Sequence, residues 1–206
     1  MARSIRRLVS GAAKLVSALA LTALAGCFGS RNVVVDTRYD FGPPADPAST
    51  AGTMPAIKVL DVTAPATLES DNLIYRLGYA DSQQLSSYSN SHWTMAPSQL
   101  LTQRLRSALT SRGTVLTGAD GVRAPVLRVD LQEFEQVFDG QTQSHGAIAA
   151  RATLFQDGKV VGQQTFVAQA PASTPDAAGG ARALAAASDD LVHQIINWLG
   201  TQPLHA

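Results

Sequence analysis

Apolar and polar positions change their period several times along this chain, and each change marks an element. From Ala56, "AIKVLDVTAP" alternates and stops at a proline, as a strand feeding a turn does. In "NLIYRLGYADSQQLSSYSNSHW", Leu73, Tyr75, Leu77 and Tyr79 share one face at period two, "ADSQQ" reads as a hairpin turn, and "LSSYSNSHW" returns as a second strand. The small polar side chains of that return strand suit an edge or a partner-facing position better than a core. Pro97 then opens a helix in the first turn, where its missing N–H is not needed. Leu101, Leu105, Ala108 and Leu109 form the apolar stripe, Gln103, Arg104, Arg106 and Ser107 the opposite face, and Gly113 is the expected C-cap.

Beyond the helix, "TVLTG" is a short strand. "APVLRVDLQEFEQVFDG" sets Leu127, Val129 and Leu131 on one face until "EFE" breaks the phase, as a bulge or an exit from the sheet would. "HGAIAARATLFQDGKVVGQQTFVAQA" is an antiparallel hairpin turning at Asp157-Gly158. The last segment opens on Thr174-Pro175-Asp176, a helix start, and carries a core-facing stripe of Leu184, Leu191, Ile195, Trp198 and Leu199. Its Gly179-Gly180 pair costs up to about 1 kcal/mol per residue against alanine, which moves the expected solid start to Ala181. Together these elements predict an α+β fold: a mostly antiparallel sheet of six or seven strands with two amphipathic helices packed on one face.

The N-terminus follows different rules. Arg3, Arg6, Arg7 and Lys14 precede an apolar run from Leu15 to Ala25, the layout of a secretory signal peptide. The run is about half the roughly 20 residues a membrane-spanning helix needs. Arg6-Arg7 supplies only a loose twin-arginine signal, so general secretion is the better reading. Leu24-Ala25-Gly26-Cys27 then resembles the lipobox of bacterial lipoproteins, in which small residues enter a peptidase cleft and the cysteine sulfur receives a diacylglyceryl group. The competing reading is a free cysteine buried in a short apolar helix. With lipidation, each buried methylene contributes about 0.8 kcal/mol, so several acyl chains such as palmitate anchor the protein durably. The expected organisation is a signal peptide over 1–26, a lipidated tether over 27–55, one domain over 56–200 and a short tail over 201–206. A short strand around Val33 to Tyr39, or a fully docked arm, is the alternative for part of the tether.

Removing the leader leaves 12 basic against 16 acidic residues, and an acidic chain of this kind offers no basic face for nucleic acid. With Cys27 as the sole cysteine, no intramolecular disulfide forms. Catalytic parts are thin. His92, His145, His193 and His205 lack HxxxH spacing, and neither a GxSxG elbow nor a GxxxxGK loop occurs, which argues against a zinc site, a cofactor or a nucleophilic enzyme. Ser144-His145 near Asp139 reads as a polar loop before a strand, and Glu133 with Glu135 as a solvated strand face. His92-Trp93 leaves two readings open: a plug at the helix-sheet junction, or an anchor for a partner.

The order of these pieces resembles the ABC-type transport auxiliary lipoproteins, the family of paraquat-inducible protein C. The residues that carry the likeness are Tyr39, "LIYR" at Leu73 to Arg76, Tyr88, Trp93 and Pro97 in "YSNSHWTMAP", and "LLTQRLRSAL" at Leu100 to Leu109. The chain departs from the family at Tyr39-Asp40-Phe41, where two adjacent aromatics are usual, and in the small "SSYSNS" strand. The resemblance implies a non-enzymatic lipoprotein in the cell envelope, facing the periplasm, whose partners are an MCE-domain protein and an ABC permease and ATPase that carry lipid. It also implies Tyr88, His92 and Trp93 as a partner contact or plug, and allows a homo-oligomer. Phe28, standing where an inner-membrane retention signal places Asp, fits the outer membrane. A different class of function also stays open: a lipoprotein that itself holds a lipid or small apolar ligand between helices and sheet.

Overall fold

The computed structural model describes residues 35–44 and 54–204. The leader, the lipobox with Cys27, His205 and the stretch 45–53 lie outside the described residues. The strands are β1 (Thr37–Tyr39), β2 (Ile57–Val59), β3 (Asn72–Arg76), β4 (Leu85–Trp93), β5 (Val115–Leu116), β6 (Val126–Phe138), β7 (Ser144–Gln156) and β8 (Lys159–Pro171), and the helices are α1 (Pro97–Thr110) and α2 (Ala177–Leu199).

Alternation decides the centre of the sheet. Leu127, Val129 and Leu131 of β6 are buried beside Leu154, Ala152 and Ala150 of β7, and a bulge between Leu131 and Glu133 resets the phase so that Phe134 stays on the buried face. β7 turns into β8 through Asp157 and Gly158, whose φ angles of 52° and 75° are the left-handed values a two-residue hairpin demands. α2 lies over β7 and β8, with Trp198 edge-on to Phe166 at 5.8 Å. α1 packs beside α2, where the buried Arg104 meets Asp189 at 3.2 Å, and the two helices share one core with the sheet.

The α+β class holds, and among the described residues the sheet has eight strands, not six or seven. Its long β6–β7 and β7–β8 ladders are antiparallel, but it is mixed, because short parallel pairs bring in most of the other strands. β6 is long enough for one edge to serve two partners. β2 pairs parallel with its start (Lys58 opposite Val126) and β3 parallel with its end (Tyr75 opposite Gln136), with a Thr63–Asp130 bridge between them. The chain from Ile57 to Arg76 therefore runs along β6 as one interrupted strand. β5 extends this edge beside β2, and β4 pairs antiparallel with β3.

Local expectations shift for specific reasons. β3 ends at Arg76, leaving Leu77 and Tyr79 exposed in the turn. α1 ends on Ser111 as C-cap, with the Gly113 N–H still donating to the Leu109 carbonyl at 3.2 Å. α2 starts at Ala177, earlier than its glycines suggested, because the Asp176 carboxylate accepts from the Gly179 N–H at 2.7 Å. The two glycines are there for room: a Cβ on Gly179 would overlap the Thr174 carbonyl, and one on Gly180 the Gln136 side chain. Finally, part of the expected tether is folded onto the domain, since β1 pairs with β4 (Tyr39 opposite Trp93) and Phe41 is buried in the core.

Candidate functional site

The docked N-terminal arm and β4 bring together two of the three residues singled out in the sequence. Trp93 ends β4 fully buried. Its ring meets Phe41 edge-on at 5.7 Å and Phe134 at 5.5 Å, while Phe41 stacks on Phe134 at 5.9 Å. Such offset and T-shaped pairs add about 0.5–1.5 kcal/mol each beyond the area they bury. Trp93 is thus buried in the core, and the arm supplies the ring that closes over it.

Backbone and charge fasten the arm on both sides. Arg38 donates to the Asp71 carboxylate at 2.8 Å and to the Trp93 carbonyl at 3.2 Å, and this guanidinium holds the Asp71 carboxyl below its ordinary range. The Thr94 N–H donates to the Tyr39 carbonyl at 2.8 Å. Arg104 donates to the carbonyls of Phe41 and Gly42 at 2.7 and 2.8 Å and lies 5.8 Å from the centre of the Phe41 ring. Placed by the sequence pattern on the outer face of α1, Arg104 is only 7% exposed and turns inward. Its charge is met by Asp189 and by carbonyls more than sixty residues away in the chain. Arg106, from the same face, donates to the Val59 carbonyl at 2.7 Å and so ties α1 to β2.

His92 stands beside the arm, its Nε2 3.4 Å from the Asp36 carboxylate and its Nδ1 buried without a hydrogen-bond partner. Tyr88 belongs to a separate cluster. Its ring tilts against Tyr75 at 4.7 Å, and its hydroxyl donates to Gln136 Oε1 at 2.9 Å. Gln136 Nε2 in turn donates to Ser144 Oγ at 2.8 Å. Burial pushes the Tyr88 phenol up to about 12, with Tyr75 and Asp176 adding to it.

The polar groups read as fragments of chemistry have structural partners. Asp139 Oδ2 lies 2.8 Å from His145 Nδ1, but Ser144, the neighbour of His145 on β7, bonds Gln136 on the buried face, so no triad forms. Glu135, expected on a solvated strand face, is 6% exposed and accepts two bonds from Arg76, at 2.6 and 2.9 Å. Burial, and then the Glu135 charge, raises the Glu133 carboxyl. Between the helices lies a cleft of only ≈ 120 Å³, lined by Arg104, Asp189, His193 and Ile196. At the β7–β8 turn an open surface groove of ≈ 860 Å³ is lined by Lys58, Arg123, Arg128 and Phe155. No helix among the described residues is long and apolar enough to cross a membrane.

Solved structures share this fold. A Xanthomonas campestris protein of the DUF330 family is 22% identical, with a TM-score of 0.70 over 79% of this chain and 94% of that one. An uncharacterized protein of known structure is 17% identical, with a TM-score of 0.66 over 80% of this chain and 99% of that one. No curated protein matches the sequence. The profile of the ABC-type transport auxiliary lipoprotein component matches residues 39–196, so the chain belongs to that family, whose members work with ABC transport systems in the cell envelope. The match begins at Tyr39, the last residue of β1, so it takes in Phe41 and leaves Thr37 and Arg38 before it.

Proposed function

We propose that the protein is the lipid-anchored, non-catalytic docking subunit of an ABC and MCE-type lipid transport system, held at the outer membrane through Cys27 and facing the periplasm. The family match over residues 39–196 carries this reading. The interior supports it. Ligand pockets for drug-sized molecules run from about 300 to 1,000 Å³, and the cleft between the helices, at ≈ 120 Å³, leaves a lipid tail little room. The docking reading is therefore preferred to a lipid carried inside the domain.

Crosslinking followed by detergent solubilisation and affinity capture of the full-length protein tests the partners. Co-recovery of an MCE-domain protein or of the ABC permease is expected, and recovery of neither overturns the proposal. The anchor is tested separately. Cys27→Ala is expected to move the protein from the membrane pellet to the soluble periplasmic fraction with its far-UV circular dichroism unchanged, and unchanged fractionation counts against lipidation.

A further inference from the structure

Twelve of the thirteen residues of β8, all but the bulged Val161, pair with β7, and among the described residues β8 pairs with no other strand. The Ala172 N–H donates to the Ser144 carbonyl at 2.9 Å, and this continues the register in which Ala170 faces Gly146 and Ala168 faces Ile148. In an antiparallel ladder, residues that exchange both backbone bonds with the partner alternate with residues that point both groups away. Gln164, Phe166, Ala168 and Ala170 therefore spend their groups on β7, whereas Gln163, Thr165, Val167 and Gln169 turn theirs outward. Gln194 of α2, donating to the Val167 carbonyl at 3.2 Å, agrees with this parity.

Proteins usually blunt such an edge with charges, prolines, bulges or a covering element. Here those devices sit at the ends: Lys159 and a bulge at Val160 and Val161 on one side, Pro171 on the other. No charged residue occurs from Val160 to Pro171, and Val167 is 58% exposed.

We propose that this edge pairs antiparallel with β8 of a second copy, about a two-fold axis at Phe166, joining the two sheets. In that register Gln163 faces Gln169 of the second copy and Thr165 faces its Val167, so the same four residues complete each other's backbone bonds. Pro171, which has no N–H, falls opposite the bulge at Val161, and both irregularities lie where the ladder ends. Thr165 and Val167 form β-branched cross-strand pairs on the face away from α2. The other edge strands argue against head-to-tail pairing, because β1 has three residues and β5 two, too few to match β8. With strands about 4.8 Å apart and α2 over β7 and β8, the two copies of α2 run roughly 10 Å apart across the seam, a normal helix-packing distance. Gln194 can release the Val167 carbonyl and keep Asp190, which it already bonds at 2.9 Å. This pairing stands independently of the transport reading.

The test measures mass and amide hydrogen exchange on the detergent-solubilised full-length chain. A two-copy species is expected, with the amides of Gln163, Thr165, Val167 and Gln169 protected as well as their even-numbered neighbours. Thr165→Pro removes an outward N–H without touching the β7 ladder, and Val167→Lys sets a charge on the exposed side of the seam. Each is expected to halve the mass and expose the four odd-numbered amides, with circular dichroism unchanged. Three results overturn the proposal: a one-copy wild type with those amides in fast exchange, an assembly of any size that survives both substitutions, or protection that appears only when another envelope protein is added.

Discussion

Trp93 and Tyr88 lie five positions apart on one strand and do different work. Trp93→Ala removes the centre of a three-ring cluster and leaves a cavity, so unfolding in urea is expected to show a loss of about 3–5 kcal/mol. Tyr88→Phe removes one hydroxyl and leaves the buried Gln136 Oε1 without its donor, an expected loss of about 1–3 kcal/mol. It also changes the pH dependence. The folded Tyr88 titrates near 12, above the ordinary value of 10, so the folded state holds this proton more tightly. The associated stability is present below pH 10 and is lost as pH rises toward 12. Denaturant titrations across that window are expected to give a shallower decline for Tyr88→Phe, the difference reduced by the solvent that reaches the half-buried ring. The place of Trp93 was legible as one of two readings, because a large aromatic before a Pro-initiated helix either fills the junction or lies open. Arg104 was not legible. Its helical position puts it off the Leu stripe, and its partners Phe41, Gly42 and Asp189 are remote in sequence.

Among the elements, those built on local signals emerge as the pattern has them: the β7–β8 hairpin at Asp157-Gly158, the bulge in β6, α1 from Pro97, and β4 over Leu85–Trp93. The parallel pairings of β2 and β3 were not legible, because period-two alternation tells which face a residue takes and not which edge of β6 its strand shares. Gly180 shows the same limit in a helix. Propensity alone makes Gly180→Ala stabilising by up to about 1 kcal/mol. Against the Gln136 side chain the added methyl is an overpacked contact, expected to destabilise by about 1–3 kcal/mol. Thermal melts separate the two by sign, and Ala186→Gly, at an exposed position of α2, gives the propensity effect alone.

For the molecule as a whole, the docked arm turns part of an expected loose tether into a structural member. Phe41→Ala is expected to free the arm, seen as faster amide exchange over residues 36–42 and new protease cleavage there, while β6, β7 and β8 stay protected. The arm also sets a working height. A leash running from Cys27 to the end of the expected tether at Pro55 would reach about 90–100 Å at 3.3–3.6 Å per residue. With Thr37 paired in the sheet, only ten residues separate it from Cys27, so under the proposed anchor the first strand would stand no more than about 35 Å from the lipid headgroups. Under the proposed lipid anchor, a domain on so short a leash would not search the space between two membranes. It would wait at one of them, and whatever it docks would have to come the rest of the way. Lengthening the chain between residues 28 and 35 raises that limit, whereas lengthening it between 45 and 53 leaves it unchanged.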